Sequence, residues 1–308
     1  MAHDHLHIAD STGKRLFLTM MLNILITAAE IVGGIVSGSL SLISDAMHNF
    51  SDAVAVIISY IALRLKEHQS SYRHTFGLKR AEIFAAVINA SVLIGISIYL
   101  FYEAVERFLH PHPIQGTIMT VVASVGLVAN ILGVLLLRRD SRDSMNIRST
   151  YLHLFADVIS SLGVLVGGIA ILAWNVYWVD PVLTILIGLY ILKESFQILT
   201  QSVHVLMEGA PENISPEDLR DLIENLPEVR DIHHIHLWMV GENDIHMEGH
   251  VNVQDMKISE GDLVRQKIEK LVKDKFGISH ITLQFECNQC PEEGLVKKQE
   301  RPAVENHN

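Results

Sequence analysis

Apolar residues fall into six long runs over the first two thirds of the chain, at roughly Leu16 to Val36, Leu40 to Leu65, Ala81 to Phe108, Ile114 to Leu137, Ile147 to Ala173 and Val179 to Leu206. A helix needs about 20 residues to cross a hydrocarbon layer of ~30 Å, and each run is long enough. They are separated by polar or breaker-rich stretches such as Ser37-Gly38-Ser39 and Pro111-His112-Pro113. From Thr117 to Leu137 the fourth run has only Asn130 as a strongly polar interruption, whereas the second and fifth are amphipathic. Polar positions in a membrane helix turn inward, away from lipid.

After Glu208-Gly209-Ala210-Pro211 the pattern changes to that of a small soluble domain. Ser215-Pro216-Glu217 opens a helix, with serine at the N-cap and proline at the first helical position, ending near Leu226-Pro227. Strands are predicted over Val229 to Met239 and Asp244 to Val253, then a helix from Glu260 to Phe276 stopped by Gly277, then a strand from Ser279 to Phe285. The fold class is a polytopic α-helical membrane protein of six transmembrane helices, followed by a C-terminal α+β domain with three strands covered on one face. The predicted boundaries are 1–13 for a flexible, His-containing arm, 14–208 for the membrane domain, 209–290 for the soluble domain and 291–308 for a disordered, charged tail.

Lys and Arg fix the orientation. They lie at Lys14, Arg15, Arg64, Lys66, Arg73, Lys79, Arg80, Arg138, Arg139, Arg142 and Arg148, while the alternate loops are nearly bare of them. The positive-inside rule places both termini in the cytoplasm, as for a multi-pass protein of the cell (inner) membrane. No cleavable signal peptide is expected, because the polar start Met1-Ala2-His3-Asp4-His5-Leu6-His7 leads into the first apolar run with no small-residue cleavage site.

With 308 residues, 49% hydrophobic and 19% charged, and a mean hydropathy of +0.28, the chain is too apolar for an ordinary soluble protein. A formal charge of −11 leaves no basic face for nucleic acid. The two cysteines, Cys287 and Cys290, form a single C-x-x-C pair that follows a strand and precedes Pro291, unlike a secreted disulfide framework or a helix-opening redox pair.

Histidine is the anomaly, with 17 residues in clusters. His48 and Asp52, four apart in the second run, share one side of a helix, with Asp45 a turn earlier. The spacing recurs as His153 and Asp157 in the fifth run. Together these offer two imidazoles and two carboxylates, a set suited to a tetrahedral divalent ion such as zinc. Carboxylates at mid-membrane are costly, about 2.5–3.5 kcal/mol on insertion scales, so two matched pairs point to function. Metal needs neutral imidazole and ionised carboxylate, so metal and proton compete for the same atoms. Gly163, Gly167 and Gly168 in the fifth run are small-residue steps expected to let the second helix approach. In the soluble domain His233, His234 and His236 precede Leu237-Trp238, with His246 and His250 on the facing strand. Strict alternation puts His234 and His236 on one face and His233 on the other. With Glu286, Cys287 and Cys290 these provide donors for one or two further zinc sites. His3, His5 and His7 form either a metal-collecting arm or a solvated tail.

At these residues the chain resembles the cation diffusion facilitator family, in its zinc-transporting branch. The resemblance is carried by Ser39-Leu40-Ser41-Leu42-Ile43-Ser44-Asp45-Ala46 leading into His48 and Asp52, by Thr75-Phe76-Gly77-Leu78-Lys79-Arg80-Ala81-Glu82, by His153 and Asp157, and by His236-Leu237-Trp238. It implies a homodimer of six-helix protomers with cytoplasmic metallochaperone-like domains, exporting zinc in exchange for protons. His48, Asp52, His153 and Asp157 would be the transport site; His233, His250 and Glu286 would form one cytoplasmic site. His236, Cys287 and Cys290 would form a second, completed by His5 or His7 of the neighbouring chain. Arg80 and Glu208 would supply a charge interlock. Some relatives hold a metal in the loop after the second helix, but here His74 is accompanied by Leu78, so none is expected there. The function read from the sequence is a proton-coupled exporter of zinc, with cobalt, cadmium and iron as further cargo, and not an enzyme. The alternative is a membrane-anchored zinc sensor or store.

Overall fold

The structure is a computed structural model. It describes the backbone of residues 2–66, 72, 74–138, 145–241, 244–278 and 280–287, and side chains from Thr19 onward within those spans except at 56, 59–60, 62–66, 145–147 and 149. The predicted tail over 291–308 lies outside the described residues. The chain divides into two compact units, one of residues 1–61 and 85–200, the other of 62–84 and 201–308.

The first unit is built from α1 (Ala2–Ser37), α2 (Leu40–Lys66), α3 (Ala81–Leu109), α4 (Gly116–Leu137), α5 (Met145–Trp174) and α6 (Val179–Leu206). Helical backbone begins at Ala2, within the stretch predicted to be a flexible arm. Among the described residues α1, α3, α4, α5 and α6 contain windows long and apolar enough to cross a membrane. The 27-residue α2 is also long enough, but Asp45, His48, Asn49 and Asp52 lower its hydropathy. All four of those residues are wholly or partly buried, so the deficit is a polar stripe turned into the bundle.

One end of this unit is held by buried polar contacts. Asp180, fully buried at the start of α6, accepts hydrogen bonds from the Ser39 and Ser41 hydroxyls, both at 2.6 Å, and from the Leu40 and Ser41 N–H groups at 2.8 and 3.2 Å. These N–H groups are among the orphan donors of the first turn of α2, and a carboxylate there also meets the positive end of the helix dipole. The Arg107 guanidinium donates to the Gly38 carbonyl at 2.5 Å, and the Gln115 N–H to the Ser37 carbonyl at 2.9 Å. Gly38 itself takes φ +76°, the left-handed conformation that closes α1 and turns the chain into α2. The α1–α2 turn is thereby fastened to α3, α4 and α6.

The glycines of α5 serve other partners than α2. A Cβ at Gly167 would stand 2.4 Å from Leu183 of α6, and one at Gly168 would stand 2.8 Å from the Thr120 hydroxyl of α4. They admit α6 and α4, which corrects the expectation that they admit α2.

The second unit contains α7 (Pro216–Glu224), β1 (Val229–Gly241), β2 (Asp244–Val253), α8 (Ile258–Phe276) and β3 (His280–Glu286). Ser215 caps α7 by accepting from the Glu217 N–H, and Gly277 at φ +70° ends α8. The sheet order is β1-β2-β3, antiparallel between β1 and β2 and parallel between β2 and β3, with α8 as the crossover. Leu219, Ile223, Val264, Ile268 and Val272 of the helices pack on Ile232, Ile235, Met247 and Val251 of the sheet. Full burial of such side chains contributes about 1.5–3 kcal/mol each.

A bulge in β1 decides what the other face carries. His233 pairs with His250 and His236 with Glu248, so three steps on β1 match two on β2, and the extra residue His234 sits at φ 53°. The phase shifts there: Ile232 faces the core before the bulge, Ile235 and Leu237 after it. His233 and His236 therefore lie on the same face, away from the helices, where alternation without a bulge predicted opposite faces. His246 and His250 of β2, with His280 and Glu286 of β3, follow by register.

Asp180→Ala is expected to strand up to four donors, at about 1–3 kcal/mol for each one left buried without a partner. The check is the midpoint of thermal unfolding in detergent, which should fall clearly. An unchanged midpoint would show that the turn is held by something else.

Candidate metal centres

Helices α2 and α5 run antiparallel. The contacts of Asp180 with Ser39 and of Gln115 with Ser37, and the closeness of Gly116 to the Leu172 backbone, place the start of α2 and the end of α5 at the same end of the bundle. His48 thus comes level with Asp157, and Asp52 with His153. The distances follow that pairing: His153 Nε2 to Asp52 Oδ2 is 2.9 Å and His48 Nε2 to Asp157 Oδ1 is 3.7 Å. Within each helix His48 Nε2 to Asp52 Oδ2 is 3.9 Å and His153 Nε2 to Asp157 Oδ2 is 3.8 Å. A tetrahedral zinc ion with bonds of about 2.0–2.1 Å separates its ligand atoms by about 3.3 Å, and these His–Asp spacings lie on either side of that edge. Ligand atoms of His48, His153 and Asp157 all lie within 4.8 Å of one another, and Asp52 joins them through its contact with His153.

With both rings neutral the set carries two negative charges, matching one divalent cation. His48 Nε2 and Asp157 Oδ2 are buried and have no hydrogen-bond partner. Such atoms need an explanation, and a metal ion supplies one. The other half of the set is more open: the Asp52 and His153 side chains are 31% and 33% exposed, against 8% and 3% for His48 and Asp157.

Around the four donors lies a buried polar layer that the sequence pattern only partly disclosed. Asp45, grouped with the site by spacing, instead accepts from Ser160 at 2.6 Å and Ser161 at 3.3 Å, and Asn130 donates to Ser161 at 3.1 Å. Its carboxylate is fully engaged and supports the crossing of α2, α4 and α5. Glu30 of α1, 1% exposed, accepts from Asn49 at 3.0 Å, and a Cβ at Gly126 would stand 2.7 Å from its Oε1. Glu30 could have been found as an ionisable residue inside an apolar run. Tyr190 of α6 sets its ring edge-on to His48, centroids 5.7 Å apart, and its hydroxyl donates to Glu194 at 2.5 Å. Nothing in the spacing of α6 points to that contact.

On the exposed-strand face of the second unit, His233, His250 and Glu286 converge with ligand atoms within 4.8 Å of one another. His250 Nδ1 is 2.8 Å and His233 Nε2 3.5 Å from the Glu286 carboxylate. His233 donates from Nδ1 to Asp231 at 2.7 Å, which leaves its Nε2 as the lone-pair nitrogen, and Asn252 holds the second Asp231 oxygen at 2.9 Å. Carboxylate-backed imidazole is the usual outer shell of a metal ligand. His233 Nε2 and Glu286 Oε2 are buried without hydrogen-bond partners, so the residues present fit a bound zinc.

The second predicted set is not assembled among the described residues. His236 is exposed, its ring 5.0 Å from that of His234, and Cys287 is exposed at the end of β3. Cys290 and the side chains of His5 and His7 lie outside the described residues. Arg80 does pair with Glu208, at 3.3 Å, and Lys79 with Asp244, at 3.1 Å, a contact the spacing did not suggest. Beside them Phe76 packs on His246, centroids 5.3 Å apart, and His246 packs on His280 at 4.5 Å. Burial, then the neighbouring His280 and Lys79, lower the pKa of His246 from its ordinary value.

Comparison with known proteins places both units. Residues 16–207 match the cation efflux transmembrane domain, and residues 211–287 match the cation efflux protein cytoplasmic domain. The chain is 37% identical over 302 residues, 97% of its length and 93% of the relative's, to the zinc transporter ZitB of Pectobacterium atrosepticum. It is 37% identical over 290 residues (93% and 92%) to the cadmium, cobalt and zinc/H(+)-K(+) antiporter of Bacillus velezensis. The metal cation efflux system protein CzcD of Cupriavidus metallidurans is 34% identical over 289 residues (94% and 90%). With both units and nearly the whole length accounted for, the chain belongs to the cation efflux family, the cation diffusion facilitators, and is a multi-pass membrane transporter of metal cations.

Proposed function

We propose that this protein exports zinc from the cytoplasm in exchange for protons, with cobalt, cadmium and iron as secondary cargo. The observation that carries the reading is the convergence of His48, His153 and Asp157, with one ligand atom of each within 4.8 Å of the others and Asp52 joined to them through His153 at 2.9 Å, inside helices that cross the membrane. Nitrogen and oxygen donors at a tetrahedral spacing favour zinc over magnesium or calcium, which take six or more oxygens. The named activities of the relatives, zinc transport and antiport, support the choice of cargo and of coupling.

Coupling follows from the donors. An unperturbed imidazole titrates near 6.5 and a carboxylate near 4, so the set binds metal best when the rings are neutral and releases it as they gain protons. A site open in turn to each side then exchanges outward zinc for inward protons. The asymmetry of burial describes one half of that cycle: Asp52 and His153 are the open side, His48 and Asp157 the closed one. Orientation rests on the Lys and Arg residues, which put both termini and the second unit in the cytoplasm of an inner-membrane protein. The protein functions as a homodimer, and no covalent step is involved. His233, His250 and Glu286 hold a zinc in each cytoplasmic domain, with Asp231 orienting His233.

In inverted vesicles the wild type should take up zinc when the lumen is acidic, and Asp157→Ala should abolish uptake. Lowering the pH should weaken zinc binding to the purified protein, because protons compete with the metal for the same donor atoms. Full uptake by Asp157→Ala would end this assignment. For the cytoplasmic domain, Asp231→Ala should weaken one zinc-binding step about 10–100-fold in calorimetric titration of the full chain. Unchanged affinity would remove His233 from the ligand set.

A further inference from the structure

Glu194 is an ionisable residue that the four-ligand set does not use. It lies in the middle of α6, a helix apolar enough to cross the membrane. A carboxylate at that depth requires protein partners or water. Among the described residues it has no ion pair; its hydrogen bond is to the Tyr190 hydroxyl on its own helix, at 2.5 Å. Tyr190 in turn stands edge-on to His48, one of the four donors.

Depth along the helices gives these contacts a direction. Asp180 is bonded to the Leu40 N–H, so α2 and α6 start at one level. At 1.5 Å per residue, His48 lies roughly 12 Å from that end, Tyr190 roughly 15 Å, Asp52 roughly 18 Å and Glu194 roughly 21 Å. Glu194 is therefore displaced past His48 to the level of Asp52 and beyond, on the side of the two donors that are each about one-third exposed. Deeper in, His48 Nε2 and Asp157 Oδ2 are buried and unpartnered, in position to receive an ion.

We infer that Glu194, held by Tyr190, is an outer station for the divalent cation, which meets this carboxylate before it reaches the four donors. The inference rests on the exporter reading above. A single carboxylate and a phenol oxygen bind zinc weakly, as an approach station must if the ion is to move on to two imidazoles and two carboxylates. Glu194 raises the local concentration of cation at the open mouth of the site, and Tyr190 fixes both the carboxylate and the His48 ring.

The test is zinc uptake into proteoliposomes containing the full-length protein, driven by a fixed pH gradient over a range of zinc concentrations. Equilibrium zinc binding in detergent is followed in parallel with a competing chelating dye. Glu194→Gln should raise the half-saturating zinc concentration about 10-fold, the lower bound seen for groups that support a metal site. Its maximal rate should stay within about twofold of wild type, and its equilibrium affinity should change little, because the four donors are intact. Glu194→Asp, which keeps the charge, should fall between. Wild-type uptake with the same half-saturation in Glu194→Gln would overturn the inference and leave the exporter reading standing. A fall in maximal rate that high zinc does not restore would overturn it equally, by showing a role in the bundle and not in approach. Wild-type vesicles that take up no zinc would overturn the exporter reading and this inference with it.

Discussion

Buried carboxyl groups are the constraint on which the membrane unit depends. Asp45, Asp157, Asp180 and Glu30 are each at most 3% exposed inside a bundle of apolar helices, and the desolvation of any one alone would be severe. Each is met differently. Asp180 takes four donors from the start of α2, Asp45 takes two serines, and Glu30 takes an amide. Asp157 alone keeps a buried oxygen with no hydrogen-bond partner. The first three are satisfied by the fold itself. Asp157 Oδ2 and His48 Nε2 are not.

The bundle is firmly tied at one end. The α1–α2 turn is clamped by Asp180, Arg107 and Gln115, which fixes the level of His48 along α2. Gly167 and Gly168 let α6 and α4 lie against α5, which fixes the level of Asp157. Four donors from two helices can meet one small ion only if both levels are set to within a fraction of an ångström, since metal–ligand bonds tolerate about 0.2 Å. The clamp and the glycines are thus part of the site, although they lie one or more turns from it.

Most of the architecture was legible because membrane crossing imposes a simple rule. Length and apolarity delimit a helix, and α6 spans Val179–Leu206 as its pattern predicts. The HxxxD repeat was legible because a helix converts a spacing of four into a shared face. What the pattern did not disclose were relations between elements. Gly167 and Gly168 announced a close approach without naming the partner, and the partner is α6 or α4. Asp45 shares the face of His48, yet serines one turn beyond Asp157 claim its carboxylate. In the sheet, alternation failed at His234, where one left-handed residue shifts the phase and moves His233 to the face of His236. A bulge is set by cross-strand register, which no single strand records.

The two donor sets of this chain use similar residues in different surroundings. In the second unit His233 gives its Nδ1–H to Asp231, and Glu286 lies 3.5 Å from its Nε2. In the membrane set, among the described residues, no carboxylate outside the four donors is bonded to either ring. Instead His153 turns to Asp52 at 2.9 Å, one ligand satisfying another. The same pairing occurs in the second unit, where His250 Nδ1 lies 2.8 Å from Glu286, so the pairing of ligands is common to both sets and the carboxylate of Asp231 behind His233 is what sets the second one apart.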